Sequence, residues 1–285
     1  MFGGARGVEL KTPDQLRLMR RAGRVVAATL AATVAAVRPG VTTHELDALA
    51  ADAIRSAGAV PSFLGYGAEG GIGGFTGVLC LSVGEEVVHG VPGDRVLAEG
   101  DLLSIDCGAV VEGWHGDSAV TVTVGEVAPK LVALSATTRS ALWHGIAAAR
   151  LGGHVADIST AVETYVRRAE HPYGIVEEYV GHGIGSAMHQ PPDVPNVVPR
   201  GVFSGRGTKI VEGLALAVEP MLTLGRPDNH VLDDDWTVVT DDGRPAAHWE
   251  HTMTVTRSGV WVLTAEDGGE SELDALGVPF GPLAD

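Results

Sequence analysis

Basic residues and cysteines are scarce in this chain, and its apolar runs are short. Of 285 residues, 20 are Lys or Arg and 36 are Asp or Glu, a formal net charge of −16. That acid excess argues against nucleic acid as the main ligand and suits a soluble protein that gathers cations. Two cysteines, Cys80 and Cys107, are too few for a disulfide framework and lack CxxC spacing, so a reducing compartment is the simpler setting. The apolar run Val25–Val37 has 13 residues, too short to cross a bilayer. It follows Arg20, Arg21 and Arg24 as a signal peptide's core would, but its spacing fits a packed helix better. No Lys-Ser/Thr pair and no helix start follow the glycine-rich stretch Pro61–Gly77, which excludes a phosphate cradle and leaves a surface loop.

What is present suits one large domain or two small ones. Thr12-Pro13 opens a helix expected to run to about Val37, in which Leu16, Met19, Gly23, Val26, Leu30, Val34 and Val37 recur at helical spacing, and Pro39-Gly40 stops it. Thr42-x-x-Glu45 is a capping box for a second helix, over His44–Ser56. Leu79–Val91 is expected to form strand, turn, strand. Ser104–Val124 is expected to be a hairpin turning at Glu112-Gly113, with Ala119–Val124 as the returning strand and Asp106 and Asp117 nearly opposite each other. Helices over about 129–151 and 156–169 follow, then a short strand at Ile175–Val180 and a proline-rich connection from Gln190 to Pro199. Leu214–Leu222, Trp236–Thr240 and His248–Thr256 complete the strands. The order of helices, hairpin sheet, helices, hairpin sheet predicts an α+β fold of two similar halves. Residues 1–264 form the expected domain, and 265–285 an acidic tail expected to be disordered or loosely packed.

Asp106, Asp117, Glu219 and Glu250 interrupt otherwise apolar strands, and His182 sits in a glycine-rich strand end. A lone strand acid is usually solvent-facing, and a lone histidine usually an ordinary polar residue. Together, buried carboxylates facing one another need a partner. Four carboxylates and one imidazole suit a divalent metal such as Mn, Fe, Co or Zn. Five side chains exceed what one open catalytic metal uses, and fit two metals sharing bridging carboxylates. Hydrolysis is the implied reaction class. If His89 and His189 line the same cavity, they are placed to steady a substrate's carbonyl oxygen and nitrogen.

Five segments, Ser82–Pro92 (SVGEEVVHGVP), Ser104–Ser118 (SIDCGAVVEGWHGDS), Gly181–Pro192 (GHGIGSAMHQPP), Ala217–Met221 (AVEPM) and Trp249–Thr252 (WEHT), resemble in this order the type I methionine aminopeptidases. The resemblance runs from about Glu9 to Thr264. It implies the pita-bread fold, whose pseudo-twofold halves enclose two divalent ions, with Co, Mn, Fe, Zn and Ni as possible identities. Asp106 would chelate one ion, Asp117 and Glu250 would bridge, and His182 and Glu219 would hold the other, with Glu219 also the general base. His189 matches the residue that contacts the scissile carbonyl, and His89 the one beside the substrate amide. Phe63, Tyr66, Phe75, Cys80, Met188 and Trp236 would form the pocket for a methionine side chain.

The implied activity is removal of the initiator methionine from nascent polypeptides with small penultimate residues. The implied protein is cytoplasmic and monomeric, acts near the ribosome, and needs neither membrane nor nucleic acid. Gly108 stands where the family has a threonine, His189-Gln190-Pro191 departs from HExP, and Gly84–Gly90 departs from NEVVCHG. The Gly67–Phe75 loop is longer and richer in glycine. Two alternatives share the fold. An Xaa-Pro peptidase usually carries an extra N-terminal domain, and a silent binding protein usually loses metal ligands.

Overall fold

The structure, a computed structural model, describes residues 7–68, 73–198 and 205–283. Two helix pairs each cover antiparallel sheet. In the first half, α1 (Pro13–Ala36) and α2 (Thr43–Ser56) begin at Thr12 and Thr42, whose hydroxyls accept from the Gln15 and Glu45 backbone amides. The reciprocal side-chain bonds complete both capping boxes. These helices bury Val26, Leu30, Leu46 and Ile54 against Leu81, Leu103 and Ile105. Those last three residues belong to β2 (Leu79–Val83) and β4 (Leu102–Val111), which pair together. The two-residue β1 (Val60–Pro61) and the long β5 (Trp114–Thr123) also pair with β4.

In the second half, α3 (Pro129–Ala148) and α4 (Val155–Arg167) pack Leu142, Ile146 and Ile158 on Leu216, Val218 and Met253. The sheet beneath runs β15 (Val260–Val262), β14 (His251–Val255), β9 (Ala215–Val218), β7 (Gly181–Gly183), β8 (Gln190–Val194). A three-stranded sheet orders β13 (Ala246–His248), β10 (Met221–Thr223) and β6 (Gly174–Ile175). Another joins β11 (Asn229–Val231), β12 (Val238–Thr240) and β3 (Glu86–Val88), and thus ties the second half to the first. The halves also meet where Ala119 of β5 exchanges backbone hydrogen bonds with Glu250, at 2.9 and 3.3 Å.

Several expectations change. The β4–β5 hairpin turns tightly at Glu112-Gly113, both with positive φ (50° and 82°), so Val111 pairs with Trp114. Asp117 therefore faces Gly108, and Asp106 faces Ala119. The two aspartates are diagonal neighbours on one face rather than directly opposed. Gln190–Val194 is a strand, not a connection. Its prolines are tolerated because β8 is a sheet edge, where a missing N–H breaks no ladder. The strands expected at Leu214–Leu222 and His248–Thr256 are each broken in two. Pro220 cannot donate to a ladder, and the Glu250 amide is diverted to Ala119. Of the strand expected at Ile175–Val180, only its first residue pairs.

The expected disorder of 265–285 is also corrected over its described part. Here α5 (Glu270–Ala275) buries Leu273 among Trp143, Val260 and Val262, and Phe280 bridges to Val260. An acidic segment with few apolar residues orders because those few meet a prepared apolar surface; residues 284 and 285 lie outside the described range.

Candidate active site

The strand breaks place the acids. Glu219 lies between β9 and β10, and Glu250 between β13 and β14. Met221 pairs with His248 and Val218 with His251 in one continuous register, which sets the two glutamates opposite each other at the break. Asp106 and Asp117 reach the break from the β4–β5 face. His182 arrives from β7, which pairs with β9 at Ala217. A side chain at Gly183 would lie 2.2 Å from the Pro191 carbonyl oxygen, so only glycine lets β8 approach that closely.

All five predicted ligands are buried, with 2 to 9% of their surface exposed. Ligand atoms of Asp117, His182 and Glu250 lie within 4.8 Å of one another. His182 Nε2 is 3.5 Å from Glu219 Oε1. Its Nδ1 donates to the Gly183 carbonyl at 3.0 Å, which turns the Nε2 lone pair toward the carboxylates. Among the described residues, six buried side-chain polar atoms lack a hydrogen-bond partner. Four are here: Asp106 Oδ1, Asp117 Oδ1, Glu250 Oε1 and His248 Nε2.

The electrostatics follow from burial. Burial pushes Asp106 up to about 7 and Glu219 up to about 8. Asp117 and Glu250 rise well above the carboxylate range through burial and then their neighbours' charges. Burial pushes His182 down to about 3 and His89 to about 4, and lowers His189 as well. Such a set, with carboxylates reluctant to ionise and imidazoles neutral, fits a divalent cation that takes oxygen and nitrogen donors together.

Every predicted site residue lines one pocket, joined there by Val88. Its apolar part is Phe63, Phe75, Cys80 and Met188, backed by Trp236. Phe75 meets Phe63 edge-on at 6.5 Å and Trp236 at 5.3 Å. Cys80 pairs with Asp106 across β2–β4, and burial drives its thiol well up, so it serves as an apolar wall. His89, with an unusual φ of 60°, stands edge-on to Tyr179 and Trp236. The glycine-rich loop closes at its base, where the Phe75 amide donates to the Tyr66 carbonyl at 2.9 Å. Trp236 Nε1 donates to the Gly73 carbonyl at 3.1 Å. Residues 69–72 of that loop lie outside the described range.

Two relations escaped sequence reasoning. The Tyr66 hydroxyl and His189 Nδ1 share a 2.6 Å hydrogen bond, across 123 positions of chain. His248, fully buried, stands 3.5 Å from Glu219 Oε2 and 4.0 Å from Glu250 Oε2. Its place two residues before Glu250, on the same face of a strand, was the one available signal.

Comparison with known proteins agrees with this geometry. Residues 17–257 match the model of metallopeptidase family M24. Methionine aminopeptidase 1 of Mycobacterium tuberculosis (strain CDC 1551 / Oshkosh) is 48% identical over 266 residues, 92% of this chain and 96% of that protein. The crystal structure of a methionine aminopeptidase from Thermotoga maritima superposes with a TM-score of 0.84 at 36% identity, covering 91% of this chain and 100% of that one. A prolidase from Pyrococcus furiosus shares the fold, with a TM-score of 0.69 at 18% identity over 90% of this chain and 65% of that one.

Proposed function

The chain belongs to metallopeptidase family M24 and has its pita-bread fold, and from that premise we propose that it removes N-terminal methionine from nascent polypeptides with small penultimate residues. The observation that carries this reading is the junction of two unlike surfaces. A buried cluster of four carboxylates and a neutral imidazole adjoins an apolar pocket of Phe63, Phe75, Cys80, Met188 and Trp236. The pocket suits a flexible thioether side chain. In this reading a methionine side chain in the pocket would bring its carbonyl to the edge of the cluster.

In this reading Asp106, Asp117, His182, Glu219 and Glu250 would hold two divalent ions, which would supply an acidified water and polarise the scissile carbonyl. Glu219, at the edge of the cluster, would accept the proton that water gives up and pass it to the leaving amine. With the Tyr66 hydroxyl donating to Nδ1, His189 carries its proton on Nε2 and donates it to the carbonyl oxygen. His89, uncharged at neutral pH and fixed by Tyr179 and Trp236, faces the substrate amide. The protein works in this reading as a cytoplasmic monomer on chains leaving the ribosome. No helix among the described residues is long and apolar enough to cross a membrane.

Glu219→Ala and His182→Ala are expected to lower cleavage of Met-Gly peptides at least about a hundredfold while circular dichroism stays that of the parent protein. Full activity in either variant would refute the assignment.

A further inference from the structure

We propose that His248 is a positioning residue whose Nε2–H holds the Glu219 carboxylate from the core side, fixing the oxygen that the cluster does not use. The inference rests on the metal-centre reading above and adds to it a sixth side chain.

Three observations carry it. The first is position. His248 is absent from the residues that line the pocket, yet its Nε2 lies 3.5 Å from Glu219 Oε2 and 4.0 Å from Glu250 Oε2. It therefore contacts the two glutamates without lining the pocket. The second is rigidity. The His248 amide donates to Thr121 Oγ1 at 3.0 Å and to Ser104 Oγ at 3.2 Å, and its carbonyl accepts from Thr121 Oγ1 at 2.6 Å. Met221, two residues beyond Glu219, pairs with it across β10–β13. The backbone under the imidazole is thus fixed relative to Glu219 from both sides. The third is the unpartnered Nε2 itself, which is fully buried. A buried donor requires an acceptor, and Glu219 Oε2 is the nearer of the two carboxylate oxygens.

Glu219 has two tasks in the proposed mechanism, holding an ion and accepting a proton. A donor on one oxygen confines the carboxylate to one rotation and leaves Oε1, which faces His182, for the reaction. Partners of this kind typically contribute about tenfold to a hundredfold in metal affinity or activity.

The test compares two variants of nearly equal shape, His248→Gln, which retains an N–H donor, and His248→Met, which has none. Mn2+ is titrated calorimetrically into metal-free full-length protein, and kcat and KM are measured on Met-Ala-Ser. We expect His248→Met to weaken the tighter-coupled binding step about tenfold or more and to lower kcat similarly, with KM changed less than about threefold. His248→Gln should recover most of both. Equal behaviour of Gln and Met variants would overturn the proposal, because it would leave only a packing role. So would parental values in His248→Met. Should the Met variant not fold, long-range 1H–15N spectra of the parent protein loaded with Zn2+ decide: a proton on Nε2 of His248 supports the inference, and an unprotonated Nε2 overturns it. Failure of the parent protein to bind Mn2+ or cleave the peptide would instead strike the functional reading itself.

Discussion

Gly108 is the residue at which the resemblance and the structure bear on each other most closely. It pairs with Asp117, on the face that carries Asp106. A Cβ added there would meet Ser62 Cβ at 2.7 Å and Phe63 Cε1 at 2.8 Å. Ser62 and Phe63 thus fill the space that a side chain at this position would need. Gly108→Thr is therefore expected to destabilise the protein by about 1–3 kcal/mol, read from urea unfolding. An unchanged midpoint would mean that Ser62 and Phe63 are free to withdraw. The four acids were legible because each interrupts an apolar strand, where an unpaired carboxylate is costly. His248 was not, because a polar residue opening a strand is unremarkable until β10 and β13 pair and bring it beside Glu219.

Among the elements, the helices follow from their caps. Thr12 and Thr42 fix the starts of α1 and α2, and both are written in the sequence as complete local motifs. The strands that carry Glu219 and Glu250 were harder. Their apolar pattern continues through the acids, while their ladder is interrupted, because Pro220 has no N–H and the Glu250 amide donates to Ala119 of the other half. Pairing partners are long-range facts, and no local pattern encodes them. The same holds for α5, whose sequence has little periodicity and whose order comes from Trp143, Val260 and Val262 beneath Leu273. Leu273→Ala should cost about 2–4 kcal/mol of unfolding free energy. A loss below about 0.5 kcal/mol, the range of an ordinary surface substitution, would restore the disordered tail that composition suggested.

For the whole molecule, the two halves converge on a cluster that is costly to ionise alone. Asp106 and Glu219 titrate near 7 and 8 in the folded, metal-free protein, whereas unfolded carboxylates titrate near about 4. Between those values these two carboxylates hold more protons in the folded state than in the unfolded state, so their contribution to stability falls as pH rises. Bound cations reverse the preference by holding the ionised form. The buried histidines, held neutral when folded, act in the opposite sense below about pH 7. The Tm of metal-free protein should therefore fall between about pH 7 and pH 8, and saturating Mn2+ should raise it more at the upper end of that range than at the lower. A metal-induced rise that shrinks with pH would contradict this.

The most direct measurement is reconstitution of activity. Protein stripped by chelator is assayed on Met-Ala-Ser and on an Xaa-Pro peptide while Mn2+ or Co2+ is added back in known ratio. Cleavage of the methionyl bond should be absent without metal and return as up to two ions bind, with the Xaa-Pro peptide left intact. Methionine release that persists in fully stripped protein, or a preference for the Xaa-Pro bond, would contradict the account.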